Sequence, residues 1–423
     1  MTTVDLTEAD ERMLAGDAGE AVRLAMRIIV CMAEVAGADR LIDVASAHID
    51  GCLYHGQVSL DFAERLVAAG ARVAVPTTLN VGLLDLLHPE LYRGEPEDAA
   101  RGRRLMDLYV EMACRPTWTC APYQLPSRPS FGEHVAWGES NAIAFANSVI
   151  GARTDRYGDF MDICAAITGR VPDAGLHRTE NRAGQIVFAL DEIPERLLTE
   201  DVLYPVLGHL IGMETGTFVP VLVGLPRSGT EDELKALGAA AASSGAVGMF
   251  HAVGLTPEAG SLEEALQGHE PLRSVRVTLD TLVRARDTLT TGAGDRLTAV
   301  SVGTPHFSLE EFAKLTALLE AASGNAVVEF YVSTSRHVLS QVEARGWLPI
   351  YERAGIQVVA DTCTYITPII GGRGGLVMTN SAKWAYYAPQ NIGAQVVFGS
   401  LEECVRSAML GSVWRDPGIW EGR

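Results

Sequence analysis

The sequence predicts an α/β protein of several lobes, built on mostly parallel sheets. Three observations carry that expectation. At 423 residues, with 48% hydrophobic and 21% charged side chains, the chain has an ordinary globular composition and is too long for one small core. Four helix starts are written as capping boxes, "TEDE" from Thr230 and "SLEE" from Ser261, Ser308 and Ser400. In each, a hydroxyl caps the first turn and an acid three residues on answers it. Short runs rich in Val and Ile flank many of these helices, and alternating strands and helices favour parallel pairing.

Along the chain, "RIIVCMAEV" and "RRLMDLYVEMAC" are helical patterns. "YHG" at 54–56 and "PTTLN" at 76–80 read as loops after short apolar runs. "CRPTWTCAPYQLP", from Cys114 to Pro126, is a stiff, shaped loop because its three prolines remove donors and restrict their neighbours. "ESNAIAFANSVIGART" reads as a buried helix followed by a polar turn, and "TENR" at 179–182 as a second polar turn. Polar stretches near 190–201 and 284–297 suggest junctions, giving lobes of roughly 1–195, 196–295 and 296–423. The run 236–257 carries no acidic or basic residue. Its Gly, Ala and Ser content makes it a helix end, a turn at Gly245 and a buried strand "AVGMFHAVG", not a membrane span.

The last lobe offers five strands: "TAVSVG" (298–303), "AVVEFYVS" (326–333), "IQVVAD" (356–361), "GLVMT" (375–379) and "AQVVFG" (394–399). In an open parallel sheet the carboxyl ends share one edge, and ligands bind there. That edge would gather His306, Ser335, Arg336, Cys363, Ser381, Lys383 and Cys404. Cys404 also falls in the first turn of a capped helix, where the dipole favours a thiolate.

Charge and cysteines narrow the function. A net charge of -19 excludes a nucleic-acid partner, which would need a basic face. The acidic start "MTTVDLTEADERML" lacks the basic and apolar parts of a signal peptide, so a cytoplasmic location without membrane attachment is expected. Only Lys235, Lys314 and Lys383 are lysine, which makes each lysine more informative than an arginine. Seven scattered cysteines are no disulfide framework. Cys31, Cys114 and Cys164 fit helical apolar patterns and are expected to pack, whereas Cys52 is ambiguous. Cys120, Cys363 and Cys404 sit in loops or at a helix start. Three thiolates from distant segments suit an iron–sulfur cluster with one open iron; zinc and a lone catalytic thiol are the alternatives.

The wording of the chain is more specific. "TCAPYQLPSRPSFGEHVAWGESNAIAFANSVIGARTDRYGD", "AAITGRVPDAGLHRTENR", "SVGTPHFSLEEF", "DTCTYITP", "VMTNSAKWAYYAPQN" and "SLEECVRSAMLG" resemble the aconitase X family, from "EADERMLAGDAGEAVRLAM" to near residue 411. The resemblance implies an aconitase-like large subunit, with three α/β domains around a central cleft, and hydro-lyase chemistry on a small hydroxylated acid. It implies Cys120, Cys363 and Cys404 as ligands of a 2Fe–2S or 4Fe–4S cluster. It also implies a small swivel domain that completes the site and carries a serine base. Only "SVWRDPGIWEGR" follows the last motif, so a separate small subunit is expected, forming a heterodimer, with this chain inactive alone.

Lys383, His306 and Ser381 then stand as catalytic candidates. Arg153, Ser148, Asn147, Glu180, Asn181, Arg182, His55, Thr78 and Ser335 stand as substrate-binding candidates. A packed helix, a solvated turn, a capping hydroxyl or a salt bridge is the plain alternative for each. The resemblance implies a bacterial activity on cis-3-hydroxy-L-proline or an archaeal one on phosphorylated mevalonate, and the Arg-rich, Lys-poor bias, which suits a high-GC bacterium, favours the first of these. Phosphorylated mevalonate is the alternative, with "GGRGG" at 371–375 as its phosphate candidate. A non-catalytic cluster-binding scaffold is a third reading.

Overall fold

The structure, a computed structural model, describes residues 4–322, 324–372 and 374–421. The chain forms two compact units: one runs up to Leu83 and resumes over Glu95–Ala183, and the other takes Leu84–Gly94 and the chain from Gly184 onward. Arg373, the cation of "GGRGG", lies outside the described residues.

The first unit holds β1 (Leu41–Asp43), β2 (Ala47–Ile49), β3 (Thr77–Leu79), β4 (Ala136–Trp137) and β5 (Arg170–Pro172). β1 and β5 pair antiparallel, and the other three form a parallel sheet in the order β3-β2-β4. "PTTLN" is therefore a strand rather than the expected loop. Three residues are too few to display alternation, and its threonines gave no apolar signal. The helix Glu20–Ala36 buries Ala21, Ala25, Met26, Ile29 and Ala33 along one stripe. Cys31 projects from the opposite side and is exposed, against the expectation that it packs.

The second unit begins with β6 (Ile186–Ala189), β7 (Pro220–Val223), β8 (His251–Ala252) and β9 (Arg273–Arg276), all parallel, in the order β8-β7-β6-β9. The strand expected across "AVGMFHAVG" thus shrinks to two residues. Ahead of it, the helix Glu231–Ser244 packs on the helix Leu203–Thr215. Small residues permit this approach. A Cβ on Gly208 would fall on the Leu237 carbonyl, and one on Gly212 on Ser244, both inside the 3.0 Å that real Cβ contacts keep. The uncharged run is therefore a buried helix interface, and no described helix is long and apolar enough to cross a membrane.

β10 (Ala299–Phe307), β11 (Glu329–Thr334), β12 (Ile356–Val359), β13 (Leu376–Thr379) and β14 (Gln395–Phe398) form the largest sheet. It is wholly parallel, in the order β12-β11-β10-β13-β14. Each of the five expected runs overlaps one of its strands, but β10 continues past the expected end at 303 to Phe307 and β11 one residue past 333. β11 starts three residues late because the Ala326 and Val327 amides bond Ala354 and Ala408 instead. Val300, Val302, Phe330, Val332 and Met378 pack on Phe312, Leu315, Val405 and Ala408 of the covering helices. The capping boxes at Thr230, Ser261, Ser308 and Ser400 all form.

The Leu84–Gly94 segment is strapped to this sheet. Asp85 accepts from the Ala360 amide (2.9 Å), and Asp361 accepts from the Leu86 amide (3.2 Å) and twice from Arg336 (2.7 and 2.6 Å). Arg93 reaches Glu329 (2.9 Å).

Candidate active site

In the order β12-β11-β10-β13-β14 the first strand lies inside, and later strands are added first on one side and then on the other. The winding reverses beside β10, so the carboxyl ends of β10 and β13 flank a crevice of the kind in which α/β sheets bind ligands. β10 delivers His306 there, fully buried. Lys235, itself paired with Asp232 (2.9 Å) and Glu311, lies 3.5 Å from the His306 carbonyl. The His306 Nε2 lies 3.2 Å from the Thr362 carbonyl, which can only accept. Nε2 therefore carries the proton and Nδ1 presents the lone pair. Burial first, then the charges of Lys235 and Lys383, lower this imidazole to about 4 against that backbone bond, so it is neutral at pH 7.

Cys363 follows β12 and is also fully buried. Its sulfur and a His306 ring nitrogen lie within 4.8 Å of each other. The loop around it is fixed from several sides. The Ile366 and Thr367 amides donate to the Cys363 carbonyl (3.2 and 3.0 Å), and Thr362 and Thr367 share a hydroxyl bond (2.5 Å). Thr364 bonds Ser301 (2.6 Å) and takes the Trp384 indole N–H (2.9 Å). Asp361 holds φ +62°, a left-handed turn that its two bonds from Arg336 maintain. A thiolate beside a neutral imidazole is a donor set for iron or zinc.

The other candidates at this edge separate. Ser381 caps the helix Ala382–Asn391 by accepting from the Trp384 amide (3.0 Å) and donates to the Thr304 carbonyl. Lys383 is buried, its ammonium 5.9 Å from the centre of the Tyr365 ring. Lys235, Thr304, Glu311, Ser381 and Lys383 line one cavity of about 30 Å³. Ser335 caps the helix Arg336–Ala344 through the Val338 amide (3.2 Å). Cys404 packs in the apolar core with Leu401, Val405 and Ala408. Burial and the neighbouring Glu403 push its thiol well up, so desolvation overrides the dipole and the expected thiolate does not form.

In the first unit, the carboxyl ends of β2, β3 and β4 deliver Asp50, Asn80 and Glu139 to one edge. The Cys120 loop is anchored beside them. The Thr119 amide donates to the Leu79 carbonyl (3.1 Å), and Asn141 donates to the Cys120 carbonyl (2.9 Å) while accepting from Tyr123 (2.7 Å). Glu139 caps the helix Ser140–Phe145 through the Ala142 amide (2.8 Å). Trp118 holds φ +43°, and Pro122 opens the turn Pro122–Gln124, so Cys120 sits in backbone restricted on both sides.

Asn147 and Ser148 lie in the wide π-turn Ala146–Ile150, and Arg182 reaches Asn147. Asn147 and Thr154 exchange two bonds (2.8 and 3.0 Å). Arg182 is fully buried, not in a solvated turn, and donates to Asn147, Ala152 and Leu176 oxygens. Arg153 donates to the His177 carbonyl (2.8 Å). Glu180, Asn181 and His55 are exposed, and Thr78 bonds His48 (2.8 Å) within the sheet. Sequence reasoning missed Asp50, Asn80 and Asp162. The signal was a short apolar run ending in Asp-Gly, "AHIDG", weak because β2 has only three residues. Cys52, left open earlier, donates to the Asn80 carbonyl (3.3 Å), and burial raises its thiol, so it packs.

The chain matches the family models described as Aconitase X first domain over residues 3–180, second domain over 184–287 and third domain over 297–410. It is 43% identical over 408 residues to a cis-3-hydroxy-L-proline dehydratase of Pseudomonas aeruginosa, covering 95% of this chain and 69% of that protein. It is 33% identical over 408 residues to a phosphomevalonate dehydratase large subunit of Methanocaldococcus jannaschii, covering 95% of this chain and 99% of that one. The crystal structure of Thermococcus kodakaraensis aconitase X in its holo-form superposes with a TM-score of 0.86 at 33% identity, covering 96% of this chain and all of that one.

Proposed function

Because the chain belongs to the aconitase X family, we propose that it is the large subunit of a dehydratase acting on cis-3-hydroxy-L-proline, yielding a pyrroline carboxylate. The observation that carries this choice is 43% identity across 95% of the chain to a dehydratase of that name, against 33% to the phosphomevalonate enzyme. Hydro-lyase chemistry is common to both. Phosphomevalonate is the second reading, favoured by the match to 99% of that large subunit's length.

Dehydration needs a base for a carbon-bound proton and an electrophile for departing hydroxide. We assign the metal centre, a 2Fe–2S or 4Fe–4S cluster, to Cys363 with His306 beside it and to Cys120 as the ligand the family resemblance implies; the core packing of Cys404 argues against its expected part. When bound, such a centre supplies the Lewis acid that lowers the cost of charge on the leaving oxygen. Thr362 holds His306 with Nδ1 as the lone-pair nitrogen, and the cationic Lys235 backs its carbonyl. Lys383 places positive charge at the same edge and draws the substrate carboxylate. Arg153 is a second carboxylate anchor. The base comes from a small swivel partner, a reading supported by relatives that are themselves named large subunits.

The test is iron and acid-labile sulfide in anaerobically purified chain with its small partner, alongside turnover of both substrates. Cys363→Ala and Cys120→Ala should abolish cluster and turnover, and Cys404→Ala should keep both. A cluster retained by Cys363→Ala would overturn the assignment, and faster turnover of phosphomevalonate would overturn the substrate.

A further inference from the structure

The edge formed by β2, β3 and β4 carries an unusual density of acid. Asp50 is half-buried at the end of β2. Asp162 lies behind it, fully buried, accepting from the amides of Asp50 (2.7 Å), Gly51 (3.2 Å) and Ile163 (2.6 Å). β4 passes so close that a Cβ on Gly138 would lie 2.9 Å from the Asp162 carboxylate and 3.2 Å from the Asp50 Cβ. Asp50 also feels the charges of Glu139 and Asp159. Burial first, and then these neighbours, push its carboxyl well above the ordinary range. A cation delivered here relieves that repulsion.

A further group points the same way. Asn80, 3% exposed, donates its amide nitrogen to Asp50, and its carbonyl Oδ1 is buried without a hydrogen-bond partner. Orphaned buried polar atoms are costly. Oδ1 can only accept and Asp50 accepts when ionised, so the ligand that complements this edge is a donor bearing positive charge.

We infer that Asp50 and the Asn80 Oδ1 form the subsite for the ring ammonium of a cyclic amino acid, making this edge the element that selects an amine over a phosphorylated substrate. The inference rests on the dehydratase reading and deepens it. A secondary ammonium has two N–H bonds in a tetrahedral fork. One goes to the Asp50 carboxylate and the other to Asn80, while Glu139, Asp159 and Asp162 supply a field that attracts the cation. A phosphate dianion meets the same field as repulsion.

The test compares two unreactive ligands on the cluster-loaded chain with its partner subunit: L-proline, and tetrahydrofuran-2-carboxylate, which has oxygen in place of the ring nitrogen. Calorimetry should show L-proline binding roughly tenfold or more tighter, the scale of one charge-assisted bond. Asp50→Asn should remove most of that preference, and Asn80→Ala should reduce it several-fold. If the wild type binds both ligands equally, or Asp50→Asn keeps the full preference, the subsite is refuted. Turnover separates the two claims. Dehydration of cis-3-hydroxy-L-proline with no ring-nitrogen preference sinks the subsite alone. An Asp50-dependent preference with no turnover upholds the subsite and sinks the reaction.

Discussion

His209 shows how one buried side chain shapes pH response. It is 4% exposed, bonds Thr288 through Nε2 (2.9 Å), and burial lowers it to about 4. The folded value lies below the unfolded one near 6.5, so the unfolded chain takes the proton first as pH falls. Its contribution is full above pH 6.5 and is lost on descending toward 4, at up to about 1.4 kcal/mol per pH unit. His209→Gln keeps a donor but not the titration. The stability gap between wild type and variant should therefore close by roughly 1–3 kcal/mol between pH 7 and pH 4, read by urea unfolding at both. Residue roles were unevenly legible in the sequence. His306 and Cys363 stood out because each follows a readable strand. Cys404 followed one too, but sequence spacing shows the helix dipole and not the desolvation that outweighs it. Arg182 looked solvated in "TENR" because the carbonyls that bury it come from positions 147–176.

At the scale of elements, the crossing of Leu203–Thr215 on Glu231–Ser244 depends on absent side chains. Gly208→Ala would drive a methyl into the Leu237 carbonyl and the Ala240 side chain, forcing the helices apart. A loss of about 1–3 kcal/mol is expected in denaturant unfolding, whereas helix propensity alone would predict a gain. Ser400→Ala should cost about 1 kcal/mol, because Ser400 caps the Glu403 amide (3.1 Å) while Glu403 also holds Arg415 and the Asp416 amide. The strands of the largest sheet were readable as apolar runs of four to nine residues with chemically distinct ends. β1 to β5 have two or three residues, each too short to carry a period, so the edge holding Asp50 and Asn80 was hidden.

Across the whole molecule one rule repeats. In each of the three parallel sheets the first strand of the chain is interior, flanked by a strand on either side. Each sheet therefore has a reversal point, which explains why chemistry collects at strand ends in both units. The small swivel partner proposed for the chain belongs to this scale. The chain loaded with iron but assayed alone should show no turnover, and adding the small subunit should restore it. Activity from the isolated chain would show that its own residues include the base.

The strap at Leu84–Gly94 has a consequence in time. Asp85 and Leu86 are joined to Ala360 and Asp361 across 275 positions of sequence. At about 5–20 residues per second, a ribosome makes Asp85 roughly 15–55 seconds before its partners emerge. The first unit's chain is complete by Ala183, so it can close while this loop still waits, its carboxylate solvated, for a sheet not yet translated. The nascent protein thus carries an early handle whose partners, at the ends of β11 and β12, are made long after it, and the order of synthesis sets when these contacts can form.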